Sequence, residues 1–286
     1  MIGIILVVIA AISAAIEHVL QKLVITRGKS LAYTFIWQVL SAILFFILFL
    51  FNIDFPKGVL PWIIVGVSSL FWIAGSFSGF KSYEYLDLSI KGPLSKLKII
   101  FVLILSVLIF KESLSAEKLI GTGLVVIGAI LITYNRQLKL SSFKNKGVIY
   151  AVLSSFLIAM AFLIDKYALN FFEVELYILL VFLLPAIYIA PFAFRKRKDV
   201  EQLIKTSFWK IAITMVFGSL AYYLTLYAFK MIEASVAIPI FELNTMFAVV
   251  GGIICLKERT DIKKKVISTI LIVLGVVLVS GLYVVF

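Results

Sequence analysis

The chain has a single cysteine, Cys255, and a single histidine, His18, in 286 residues. An internal disulfide is excluded, and so is a metal or haem site built from clustered Cys and His. Charge is scarce as well. Only 15% of residues are Asp, Glu, Lys or Arg, against roughly a quarter in a soluble domain. That is too little polar surface to cover a folded core in water. No phosphate-binding glycine loop precedes a Lys-Ser/Thr pair, no serine has an identifiable His–acid partner, and no glycine-rich carbonyl filter is present. Nucleotide hydrolysis within the chain, serine hydrolysis and filter-based conduction are therefore not expected. Neither is any cofactor or metal, and the chain does not read as an enzyme.

What is present is apolar: 63% of residues, with a mean hydropathy of +1.15. About 20 apolar residues cross roughly 30 Å of hydrocarbon as a helix. Ten such stretches can be cut from the sequence: Gly3–Ile25, Leu31–Phe51, Leu60–Ser82, Leu86–Phe110, Leu119–Tyr134, Gly147–Leu169, Leu176–Phe194, Phe208–Met231, Ala234–Leu256 and Val266–Val285. Membrane β-strands would be half as long and alternate with period two, so an all-α integral membrane protein is predicted, with the lipid bilayer of the cell (plasma) membrane as its surroundings. The first stretch lacks a preceding basic segment, and Glu17, His18, Gln21 and Lys22 stand where a small-residue cleavage site would fall. It reads as a first membrane helix rather than a cleaved signal.

The net charge is +12, from 27 basic and 15 acidic residues. In a soluble protein this would point to nucleic acid. Here the basic residues crowd into alternate connections: Arg27 and Lys29; Arg136, Lys139, Lys144 and Lys146; Arg195, Lys196, Arg197, Lys198 and Lys205; Lys257, Arg259, Lys263, Lys264 and Lys265. The even-numbered connections hold only Lys57, Lys111 and Lys118. The bias predicts odd loops in the cytoplasm and both termini outside. It is a topology signal, and no nucleic-acid partner is expected.

The two halves of the chain match at nearly constant offsets. At 146, Leu86-Asp87-Leu88-Ser89-Ile90-Lys91-Gly92-Pro93 lies over Ile232-Glu233-Ala234-Ser235-Val236-Ala237-Ile238-Pro239, and Phe110-Lys111-Glu112 over Leu256-Lys257-Glu258. At 144, Gly3-Ile4-Ile5 matches Gly147-Val148-Ile149, and Gln21-Lys22 matches Asp165-Lys166. A proline, an acidic–x–Ser step and a Lys-Glu pair kept in register indicate a duplication, with units at 1–140 and 147–286. Five spans per unit is odd, so ten transmembrane helices form two inverted five-helix repeats. Inverted repeats are characteristic of secondary transporters, whose halves exchange conformations about a central site.

These marks carry a resemblance. Pro93 and Pro239 early in the fourth helix of each unit, Glu112 and Glu258 at its end, and Gly128 and Gly275 in the next helix look like the drug/metabolite transporter superfamily, EamA-like branch. The resemblance covers essentially the whole chain. It implies that the first four helices of each unit line a central path and that the fifth and tenth are peripheral.

Ionisable groups at membrane depth are costly and usually face a cavity or a partner. Lys91, Ser95 and Lys98 form one stripe of the fourth helix, and Lys96 falls near the bilayer middle. Its counterpart at offset 146 is Glu242, so the two are expected to face each other across the central cavity and pair in at least one state, with Asn244 and Thr245 beside them. Glu17 and Gln21 share a face of the first helix, and Glu17 and Glu242 are the candidates for proton coupling. His18 is read as a helix contact rather than a ligand, and Asp165–Lys166 as an interfacial ion pair. Trp37, Trp72, Tyr222, Tyr223 and Tyr227 are candidate pocket walls, with Trp37, Tyr223 and Tyr227 counted among the binding residues. Pro93 and Pro239 are candidate hinges, since each leaves a carbonyl unpaired one turn earlier. Gly75–Gly79, Gly121, Gly128, Gly275 and Gly281 read as helix-packing positions.

The function expected is alternating-access transport of a small polar metabolite, with buried lysines favouring a carboxylate- or phosphate-bearing solute such as an amino acid. A proton-coupled exporter fits this reading. The alternatives are a flippase for a lipid-linked substrate and a non-transporting membrane scaffold subunit. Cargo, direction, coupling ion and oligomeric state are not fixed by the sequence.

Overall fold

The computed structural model describes residues 1–24, 30–83, 85–86, 94–133, 146–255 and 262–281. Eleven helices occur among them: α1 Ile2–Val24, α2 Ser30–Phe49, α3 Leu60–Tyr83, α4 Leu97–Phe110, α5 Ala116–Thr133, α6 Lys146–Ala168, α7 Val174–Arg195, α8 Arg197–Phe229, α9 Ala234–Phe241, α10 Leu243–Cys255 and α11 Ile262–Ser280. No strand occurs among the described residues. Long apolar runs take this form because a helix satisfies its own backbone groups without water. Among the described residues, six helices are long and apolar enough to cross a membrane: α1, α2, α3, α6, α7 and α8. Their outward faces carry large apolar side chains such as Ile43, Phe46, Leu70, Ile149, Ile187 and Ile213, which suits contact with lipid tails.

The dominant helix pairings each join the first half of the chain to the second. α1 packs on α8 and α10, and α6 packs on α3 and α4. Likewise α2 lies on α7, α5 on α11, and α4 meets α9. The main core accordingly draws Val7, Phe45, Ile99 and Val125 from one half and Leu163, Tyr177, Leu226 and Ile272 from the other. The α5–α11 crossing is set by glycine. A Cβ on Gly121 would lie 2.7 Å from the Gly275 carbonyl oxygen, and one on Gly275 would lie 2.5 Å from that of Gly121. Only hydrogen at both positions lets the backbones approach this closely. Gly128 stands equally close to the Ser268 carbonyl, and Gly75 to Ile158 of α6.

Three elements differ from the sequence reading. The eighth span was expected from Phe208, yet α8 starts at Arg197. Its polar first turns bury Leu203 against Ala32, Tyr33 and Ile36 of α2, so amphipathic packing extends the helix beyond its apolar run. The ninth span is not one helix but two, α9 and α10, interrupted at Glu242. The fourth is interrupted at Lys96, with Leu94 and Ser95 helical before it and α4 after it.

Candidate functional site

The two interruptions stand at equivalent positions of the duplicated sequence, 146 residues apart, and share a local geometry. Ile99 N–H donates to the Lys96 carbonyl at 3.1 Å, and Thr245 N–H to the Glu242 carbonyl at 3.0 Å. Each is a tightened i→i+3 step. In the second half the break follows Pro239 by three residues, and Pro239 itself lies inside α9, fully buried. The bend is thus displaced from the carbonyl one turn before the proline, where the sequence reading put it, to the Glu242 peptide. α9 has eight residues, so Glu242 lies about 12 Å along the span from its start.

At these breaks the two half-spans bring charge together. Lys96 Nζ is 2.8 Å from Glu242 Oε2, and Lys98 Nζ is 2.9 Å from Glu242 Oε1. Lys96 also donates to Thr245 Oγ1 at 2.8 Å, and Thr245 contacts Asn244 Oδ1 at 3.1 Å. Glu242 is fully buried, while the lysine side chains retain 11% and 20% of their surface. Two ammonium groups share one carboxylate, so the cluster carries a surplus positive charge.

α1 closes the cluster from a third direction. His18, accessible rather than buried, lies within electrostatic reach of Lys96, Lys98 and Glu242 and hydrogen-bonds Gln21, which in turn bonds Tyr33. Immediately before His18, Glu17 rests on Gly218 of α8. A Cβ there would meet the Glu17 carboxyl carbon at 2.7 Å and Trp37 at 2.8 Å. Trp37 stands edge-on to Phe182, 5.3 Å between centroids, and its buried indole N–H has no hydrogen-bond partner.

Other expected site residues go elsewhere. Tyr223 and Tyr227 donate to Glu175 Oε1 at 2.8 and 2.7 Å, forming a separate carboxylate–phenol group at the start of α7. Ser95 is the last helical residue ahead of the break at Lys96. Lys91 and Pro93 lie outside the described residues.

Asp165 corrects the sequence reading. It does not pair with Lys166. It is completely buried and accepts hydrogen bonds from Ser68 and Tyr177 at 2.5 Å, Tyr222 at 2.6 Å and Trp72 at 3.1 Å. Four donors disperse its charge without a cation. A signal was present in the duplication. Asp165 and Tyr177 sit 144 residues after Gln21 and Tyr33, and Thr214 sits 146 after Ser68. The Tyr33–Thr214 contact at 3.0 Å is therefore the counterpart of the Ser68–Tyr177 meeting at Asp165.

Lys166 instead reaches Glu112, 2.9 Å away. Glu112 also accepts from Ala234 N–H at 3.0 Å, Ser235 N–H at 3.1 Å and Ser235 Oγ at 2.5 Å. It lies in the turn after α4, outside the spanning segments. Burial pushes its carboxyl up, but the Ser235 and Lys166 hydrogen bonds and the Lys166 charge outweigh this and hold it at about 2.

Apolar helices of membrane-crossing length and interleaved halves define a polytopic helical membrane protein. The profile of the EamA-like transporter family matches residues 1–134 and again residues 145–281. The chain belongs to the EamA-like transporter family, and the double match gives it that family's two-repeat architecture. No curated protein matches it. It is similar to a solved structure described only as "Crystal structure of protein", at 12% identity, covering 98% of this chain and 96% of that one with a TM-score of 0.79. At that identity the likeness shows a shared fold.

Proposed function

We propose that the protein is a secondary transporter of a small anionic or zwitterionic metabolite, working by alternating access in the cell membrane. In this reading ten membrane-crossing spans form two inverted five-helix repeats, 1–140 and 147–286, with the basic loops in the cytoplasm and no enzymatic step. The observation that supports it is the pairing of two lysines with one buried carboxylate at equivalent breaks of the fourth and ninth spans. An unbalanced buried charge is costly, and a carboxylate or phosphate on the cargo would balance it. Lys96, Lys98, Glu242, Thr245, His18 and Gln21 form the binding wall. Glu17, in the wall of the same path, and Glu242 are the candidates for proton coupling.

The test is a metabolite-uptake screen in proteoliposomes, with and without a pH gradient. Uptake of a carboxylate- or phosphate-bearing solute is expected, with apparent affinity falling at least tenfold in Lys98→Met. Glu17→Gln is expected to abolish the response to the pH gradient while leaving exchange. Absence of uptake for every anionic or zwitterionic metabolite would overturn the reading. One observation favours a non-transporting scaffold instead: Glu242 is fully buried and held by two cations, as a permanent tie between helices would be. The same screen separates the two.

A further inference from the structure

The Glu112 cluster lies away from the central charges, at the end of the molecule where the start of α1, the turn 111–115, the turn 230–233 and the end of α11 gather. There Lys118, Lys166, Lys230 and Glu233 line a hollow of about 610 Å³. Its chemistry differs from that of an ordinary surface ion pair. Glu112 is 8% exposed. It holds the first two backbone N–H groups of α9, the Ser235 hydroxyl and the Lys166 ammonium. Lys166 also donates to the Ile232 carbonyl at 3.2 Å. Beside it, Lys118 pairs with Glu233 and donates to the Ser113 carbonyl at 2.6 Å. The exit of α4 and the entry of α9 come from opposite halves of the chain, and one carboxylate fastens them together. α4 and α9 are also the half-spans whose far ends converge on Lys96 and Glu242.

We propose that Glu112, Lys166 and Ser235, reinforced by Lys118–Glu233, form an ion-pair latch that closes one mouth of the transport path. Opening that mouth requires the α4 exit and α9 entry to separate, which breaks the Glu112 contacts together. The inference rests on the alternating-access reading. It draws on the sequence as well, because a two-sided transporter built from inverted repeats needs the same device at both ends. The residue types recur at matching offsets: Glu258 for Glu112, Ser89 for Ser235, Lys22 for Lys166, Lys264 for Lys118 and Asp87 for Glu233. The side chains of Lys22, Asp87, Ser89 and Glu258 lie outside the described residues, and the latch of Glu112 stands without them.

The test is thiol labelling of the full-length protein in proteoliposomes, in a Cys255→Ser background, with a membrane-impermeant maleimide. Ala237, fully buried in α9 between the latch and Glu242, is replaced by cysteine as the reporter. Ala159, fully buried in α6, is replaced in a parallel protein as the control. Glu112→Gln is expected to raise the labelling rate of Ala237→Cys at least tenfold and leave that of Ala159→Cys unchanged. Ser235→Ala, which removes one donor only, is expected to give a smaller rise in the same direction. A rise at both cysteines means general loosening, and no rise at Ala237→Cys means no latch; either overturns the proposal. Labelling needs no cargo, so an uptake screen that finds no substrate would count against the transport reading and leave the labelling result to stand or fall separately.

Discussion

Replacing Glu242 by Gln keeps the volume of the side chain and removes the carboxylate that lies within 3 Å of both Lys96 and Lys98. The two ammonium groups stand against opposite oxygens of one carboxylate, at 2.8 and 2.9 Å. At an effective dielectric near 20, two ammonium groups roughly 5 Å apart repel by about 3 kcal/mol, and each attraction lost at 2.8 or 2.9 Å is about 6 kcal/mol before solvent screening. Part of this is recovered because Lys98, the more accessible lysine, can turn toward water. Removing one partner of a buried pair typically costs about 3–5 kcal/mol, and Glu242→Gln is expected in that range. Lys98→Met is expected to cost under about 1 kcal/mol, since Lys96 keeps its carboxylate and Met fills the stem's volume. The informative variant is the double, Glu242→Gln with Lys98→Met. Taking away the second cation is expected to return roughly 1–2 kcal/mol of what Glu242→Gln lost. Denaturant unfolding of the purified protein in detergent, followed by tryptophan fluorescence, measures all three. Additive effects, or a Lys98→Met as damaging as Glu242→Gln, would refute a shared-carboxylate cluster.

Glu112 ionises with a carboxyl at about 2, against an ordinary value near 4.5. A depressed carboxyl stabilises the fold above its unfolded value and loses that contribution as pH falls from 4.5 toward 2, up to roughly 3 kcal/mol in all. Thermal melts from pH 6 to pH 3 are expected to show a steep acid limb in the parent and a flatter one in Glu112→Gln. Asp165→Asn replaces one acceptor oxygen by an amide N–H₂, so the hydroxyls on that side must turn from donating to accepting and the charge-assisted hydrogen bonds are lost. A loss of about 2–4 kcal/mol is expected in the same unfolding assay, with Asp165→Glu failing to rescue because the site is closed. Gly275→Ala forces α5 and α11 apart at their crossing and is expected to cost about 1–3 kcal/mol, whereas Gly123→Ala, with open space around it, is expected to be neutral or slightly stabilising.

Much was legible in one dimension. Hydropathy is a property of consecutive residues, so the membrane class followed directly, and the two offsets exposed the duplication. The duplication in turn brought Lys96 opposite Glu242, because equivalent positions of a twofold arrangement approach a common axis. The breaks were harder to see. Pro239 marked the ninth span, but the interruption fell at Glu242, where i→i+3 bonding takes over. Tyr223 and Tyr227 looked like pocket walls by spacing alone, yet the packing of α7 beside α8 gave them Glu175.

The sequence by itself determined that the chain is helical, membrane-embedded, duplicated and charged at a few deep positions, since each of these is written in runs and repeats. Only the tertiary structure decided the partners. Lys98 joined Glu242, Asp165 gathered Ser68, Trp72, Tyr177 and Tyr222, and Glu112 capped a helix 122 residues further along the chain. Each contact joins different elements of the fold, and those of Lys98, Glu112, Ser68 and Trp72 cross from one half of the chain to the other. Side chains at such separations meet only after the helices choose their neighbours, and that choice is made by packing, which no local spacing records.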